Sequence, residues 1–108
     1  MHNGLITTEH WQSMDTYMQL ANIGSEVGRA FKWKKANVKE RAEGAFFRAV
    51  ELFDATLNDP KNIKRLREIN TSQELFTDLF YDRHKYKETS ENLEKYFTEF
   101  AILARSKV

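Results

Sequence analysis

With 108 residues, 41% of them apolar and 31% charged, the chain has the balance of a single globular domain, with material for one core but not two. Its 17 Lys and Arg against 16 Asp and Glu leave a formal charge of +1, which excludes a strong overall field, so any attraction to nucleic acid or membrane has to come from a local patch. The absence of cysteine excludes disulfides, zinc–thiolate sites and thiol catalysis, and no run approaches the roughly 20 apolar residues a membrane span needs.

Residues 1–8 have neither the basic start nor the apolar run of a secretory signal. A cytoplasmic protein is expected, with residues 1–7 frayed. From residue 8 to residue 35 the apolar positions recur at helical spacing along two lines. One runs Trp11, Met14, Met18, Ala21, Ser25, Gly28, and the other Tyr17, Leu20, Gly24, Val27, Phe31. The pattern predicts one long helix with a broad buried sector. Gly24 and Gly28 each cost about 1 kcal/mol relative to Ala in a helix interior, and a tight crossing with a neighbouring helix is the expected compensation. On that reading Gly28→Ala destabilises.

Asn37, Val38, Lys39 and Glu40 have the form of a capping box and start a second helix that runs to Leu57. Its core line is Ala42, Phe46, Ala49, Val50, Phe53, Leu57, and Phe47 and Leu52 fall off it to either side. Asp59 then caps the next element, with Pro60 in its first turn. Residues 61–83 read as one helix with a kink or break near Asn70, Thr71 and Ser72, because Ile63 and Leu66 define one face while Leu75, Phe76, Leu79 and Phe80 centre on another. After a polar connection Ser90 caps a last helix, with Leu93, Tyr96, Phe97, Phe100, Ala101 and Ala104 inward and Ile102 outward. The fold expected is all-α, an up-down-up-down four-helix bundle.

Catalytic signatures are missing from this scaffold. Di-iron bundles need Glu-x-x-His pairs, and His2, His10 and His84 have no Glu three residues upstream. Gly4, Gly24, Gly28 and Gly44 form no phosphate-cradling loop, and no Ser or His sits in an elbow or triad context. No catalytic, metal or cofactor-binding residue is assigned. Helical ribonucleases of the HEPN type carry an Arg separated by a gap of four to six residues from a catalytic His, but Thr77, Asp78 and Leu79 fill that place before His84. This leaves only a non-catalytic HEPN-like relative, on shape alone.

Three stretches resemble a group of small bacterial proteins of unassigned function: Ser25-Glu26-Val27-Gly28-Arg29, the run from Ala45 through Phe46, Phe47, Arg48, Ala49, Val50 and Glu51 to Leu52, and Tyr96-Phe97-Thr98-Glu99-Phe100-Ala101. The resemblance covers the chain from about Asn22 onward. It implies an independent helical protein and transfers no functional residue.

Two surfaces follow from the helix assignments. Phe47, Leu52 and Ile102, left off the core lines, are the candidate interface of a non-enzymatic protein that forms a homodimer and binds a protein partner. Alternation of up and down helices places the first and third connections at one end. There Arg29, Lys32, Lys34, Lys35, Lys39, Arg41, Arg83, Lys85 and Lys87 would surround Trp33 and Tyr86. Basic groups interleaved with stacking rings suit single-stranded RNA or DNA, the alternative function. Basic residues at a helix C-terminus also serve the macrodipole without any ligand.

Overall fold

Two side-chain caps divide the first apolar stretch, which the sequence reads as one helix. The computed structural model describes residues 7–106; of the terminal segment expected to fray, residues 1–6 lie outside the described part. Thr7 caps helix α1 (Thr8–Gln12), accepting from the His10 amide, and the chain then stops at Ser13. Asp15 holds an extended backbone and accepts from Met18 N at 2.8 Å to begin α2 (Thr16–Lys35). An Asp at this position satisfies first-turn amides that continued helix would leave to the backbone, so a local hydrogen bond wins over apolar periodicity.

Asn37 acts differently from the expected capping box. It takes a left-handed φ of 61° and ends α2, with Val38 N donating to Trp33 O and Asn37 N to Lys34 O. This is a Schellman closure, which favours Asn or Gly at the left-handed position. Helix α3 (Lys39–Leu57) therefore starts from Val38 without a side-chain cap. The Asp59 cap and first-turn Pro60 appear as expected, but they open a 3₁₀ helix (Pro60–Arg65), followed by α4 (Leu66–Phe80). Helix α4 passes unbroken through Asn70, Thr71 and Ser72, and the change of face falls instead at the 3₁₀ to α junction. Ile63, expected on a core face, is 68% exposed. The last helix, α5 (Ser90–Ser106), is capped one residue earlier than expected, by Thr89 Oγ1 accepting from Asn92 N at 3.1 Å.

Five α-helices and one 3₁₀ helix, with no strand, thus make up the described residues. Their radius of gyration of 13.5 Å matches the about 13 Å of a compact domain this size. Helix α2 lies along both α3 and α5. Glu26 meets Arg48 and Trp33 meets Arg41 on α3, while Tyr17 meets Phe100 on α5 and Gly24 lies against Phe97. Residue numbers fall along the neighbour as they rise along α2. Helix α4 stands farther off, separated from α3 by whole rings: Phe46 stacks on Phe80 at 4.6 Å and on Phe76 at 5.1 Å. Phe76 also meets Phe31 edge-on at 5.5 Å. The core is largely aromatic, as eight Phe in a chain without disulfides suggest.

The α2 core sector is narrower than its two sequence lines. Leu20, Ile23, Val27, Ala30 and Phe31 are buried, whereas Met18 and Ser25 are exposed. Gln19 is fully buried instead, inside a polar network. Its Nε2 donates to Trp11 O at 2.9 Å and Asp59 Oδ2 at 2.8 Å, and its Oε1 accepts from Asn62 Nδ2 at 2.9 Å. Asn62 also donates to Thr56 O and accepts from Thr16, and Trp11 Nε1 donates to Thr56 Oγ1 at 2.9 Å. No buried side-chain polar atom among the described residues lacks a partner. The network ties the five-residue α1 and the 3₁₀ helix to the ends of α2 and α3, neither being long enough to hold itself.

Candidate functional site

The α2–α3 turn and the α4–α5 connection occupy one end of the molecule, because Lys34 Nζ on α2 reaches Asp82 Oδ2 at 2.7 Å. Both partners are exposed, so the pair contributes little stability. Its hydrogen bond to Lys34, outweighing burial, holds the Asp82 carboxyl below the usual carboxylate range.

The connection itself, residues 81–89, is shaped from below by a residue the sequence reading passed over. Asp78 is buried on α4, and its two carboxylate oxygens accept from Lys85 N at 2.8 Å and Tyr86 N at 3.2 Å. Asp82 at φ 53° closes α4 in a second Schellman turn, with Arg83 N donating to Asp78 O. His84, at φ 58°, turns the chain so that the next two amides face the Asp78 carboxylate. An Asp on the off-core side of an amphipathic helix looks solvated in sequence, and only the folded-back loop reveals its role.

This arrangement sets basic groups beside the half-buried ring of Trp33 and the exposed rings of Tyr81 and Tyr86. Arg41 lies 4.8 Å and Lys32 5.0 Å from the centre of the Trp33 ring. Arg83 sits 5.5 Å from Tyr81, and Lys85 5.7 Å from Tyr86. Tyr81, absent from the sequence-derived patch, is 42% exposed and its ring packs edge-on against Phe46 at 5.1 Å. Between α4 and the loop opens a cleft of about 320 Å³ lined by Gln73, Glu74, Thr77, Asp78, Arg83, Lys85 and Tyr86, in which Glu74 accepts from Tyr86 Oη at 3.4 Å. Lys35, Lys39 and Lys87 are exposed around this end. Lys35 partly offsets the burial that raises the Glu94 carboxyl above its usual range.

Of the eleven patch residues named from sequence, Arg29 stands apart from the rest. It pairs with Glu26 at 3.2 Å, six residues or about 9 Å of helix below the end of α2. The candidate interface fares worse. Leu52 packs partly buried against the core, which removes it as a surface residue. Phe47 and Ile102 are 57% and 54% exposed but stand apart. Phe47 flanks Phe46 beside the C-terminus of α4, whereas Ile102 follows Phe100, which meets Tyr17 at the start of α2. His10 and His84 are exposed, His2 lies outside the described residues, and no three His, Asp or Glu among the described residues gather as a metal site would require.

Comparison with family models, with curated proteins and with solved structures gives no match. The resemblance to small bacterial proteins therefore rests on the three sequence stretches alone.

Proposed function

We propose that the protein is a non-enzymatic binding protein, an up-down-up-down bundle of α2 to α5 with α1 as an added turn, whose basic end holds single-stranded RNA or DNA. One observation carries the reading: the Lys34–Asp82 contact joins the two basic connections at one end, where four cations lie over two exposed rings, Tyr81 and Tyr86, and the half-buried Trp33. Bases stack on aromatic faces and on guanidinium planes while phosphates meet the surrounding lysines. The cleft of about 320 Å³ beside Arg83 and Lys85 offers a nucleobase the ring of Tyr86, its carboxylates being engaged already, Asp78 by the Lys85 and Tyr86 amides and Glu74 by Tyr86 Oη. Pairing of rings with cations also explains why a net charge of +1 suffices, since the ligand field is local.

Fluorescence anisotropy with single-stranded oligonucleotides tests this. Affinity falls with salt at a slope of about −0.7 per phosphate neutralised. Joint Lys39→Glu and Lys87→Glu substitution, at exposed positions of this end, weakens binding and flattens that slope. Tyr86→Ala costs about 1–3 kcal/mol of affinity through lost stacking. No salt-sensitive binding at low ionic strength would sink the proposal.

A second reading, self-association with a protein partner, draws on Phe47 and Tyr81, two exposed rings that both rest on Phe46. Tyr and Phe beside Arg are the residues that anchor interfaces, and a two-fold dimer is the commonest geometry. Light scattering then shows a dimer that Phe47→Ser dissociates; a monomer at high concentration removes this reading.

A further inference from the structure

A second cleft, of about 310 Å³, runs between α4 and α5. Its apolar surface comes from Leu75, Leu93 and the ring of Tyr96. Tyr96 is a fixed wall. Its ring meets Phe97 and Phe100 edge-on at 5.0 and 5.1 Å, and its Oη donates to Glu68 Oε2 at 2.5 Å across the two helices. Glu68 is further bound by Arg65, so its charge is already met.

Glu88, at the other end of the cleft, is in a different state. Its Oε1 accepts from both Asn92 Nδ2 at 2.9 Å and Thr89 N at 3.0 Å, and Oε2 accepts neither of them. Those two hydrogen bonds hold the Glu88 carboxyl below the usual range, so it is ionised at neutral pH. Two carboxylates and no Lys or Arg line the cleft.

We infer that this cleft binds a small apolar organic cation, a primary amine whose ammonium meets Glu88 Oε2 while its hydrocarbon or aromatic body lies on Leu75, Leu93 and Tyr96. Shape and charge both select that class. A volume near 300 Å³ is at the lower end of small-ligand sites, which are mostly apolar with few placed polar groups. An anion would face two carboxylates, and a neutral ligand would forgo the charge-assisted hydrogen bond to Glu88 Oε2. The inference is independent of the basic end, because Arg83, Lys85 and Tyr86 line the other cleft.

Titration calorimetry of the full chain with three probes that share a phenylethyl body is the test: 2-phenylethylamine, 2-phenylethanol and 3-phenylpropionate. The amine binds about tenfold or more tighter than the other two, the margin of one charge-assisted hydrogen bond. Glu88→Gln keeps a side-chain oxygen that can accept from Asn92 and Thr89, and brings the amine down to the level of the alcohol. Leu75→Trp fills the cleft and abolishes binding of both. Thr71→Trp, on the exposed rim, does the same should the Leu75 variant fail to fold. Equal affinity for the three probes, no amine binding at millimolar concentration, or amine binding indifferent to Glu88→Gln or to the folded Trp variant each overturns the inference.

Discussion

Gln19→Leu is expected to destabilise the protein by about 3 kcal/mol, although it replaces a buried amide with an apolar side chain of similar size. The substitution takes one partner each from Trp11 O, Asp59 Oδ2 and Asn62 Nδ2, which keep Met14 N, Lys61 Nζ and Thr56 O as their others, and each of the three buried hydrogen bonds lost costs about 1 kcal/mol. In a domain of this size 3 kcal/mol corresponds to a fall in Tm on the order of 15 °C. The loss also changes the acid limb. Burial alone raises the Asp59 carboxyl, and hydrogen bonds from Lys61 and Gln19 reverse that and leave it below its usual 3.8. A depressed folded pKa contributes stability that is present above the unfolded pKa and lost as pH falls through the folded one. Without Gln19 the folded pKa moves up, so acid unfolding begins at a higher pH. Urea titrations at pH 7 and across pH 2–5 measure both effects; a cost below about 1 kcal/mol would show that α1 and the 3₁₀ helix dock by apolar contact alone.

Gly24→Ala is expected to lower the denaturation midpoint and Gly28→Ala to raise it, the reverse of what sequence suggests for Gly28. A Cβ on Gly24 would lie 2.5 Å from Phe97 Cβ and 3.2 Å from its Cγ. The first atom is fixed to the α5 backbone and cannot swing away, so α5 must move. Overpacking of this kind costs about 1–3 kcal/mol, which exceeds the gain of about 1 kcal/mol in helix propensity. A Cβ on Gly28 would meet only Glu94 Oε1 at 3.5 Å, an ordinary contact, so propensity decides and stability rises by up to about 1 kcal/mol. Gly24→Leu should prevent α5 from docking at all. Thermal and urea midpoints of the Ala pair settle the assignment through their opposite signs.

Helix by helix, local rules proved legible where they act locally. The Asp59–Pro60 start, the inward faces of α3 and α5, and an aromatic core all follow from caps and 3.6-residue periodicity, because those signals are complete within one or two turns of chain. The Asp15 cap and the Schellman turn at Asn37 are equally local, yet the first competes with a longer apolar pattern and the second with a capping box on the same residues, and periodicity gave no means of ranking them. For the binding surfaces sequence supplied the residue types, Trp33, Tyr86 and the lysines, but not their grouping.

What the chain determined by itself is that it folds as helices, that it lacks cysteine chemistry, and which connections carry positive charge. Tertiary structure alone decided the rest. Whether Gly24 or Gly28 admits α5 depends on the axial offset between two helices some seventy residues apart. Whether Leu52 is surface or core depends on how far its neighbours lean over it. Asp78 became the anchor of a loop, Gln19 the centre of a buried network, and Glu88 the rim of a cleft, because polar side chains take their roles from groups brought near them by folding, and no periodicity along the sequence encodes those distances.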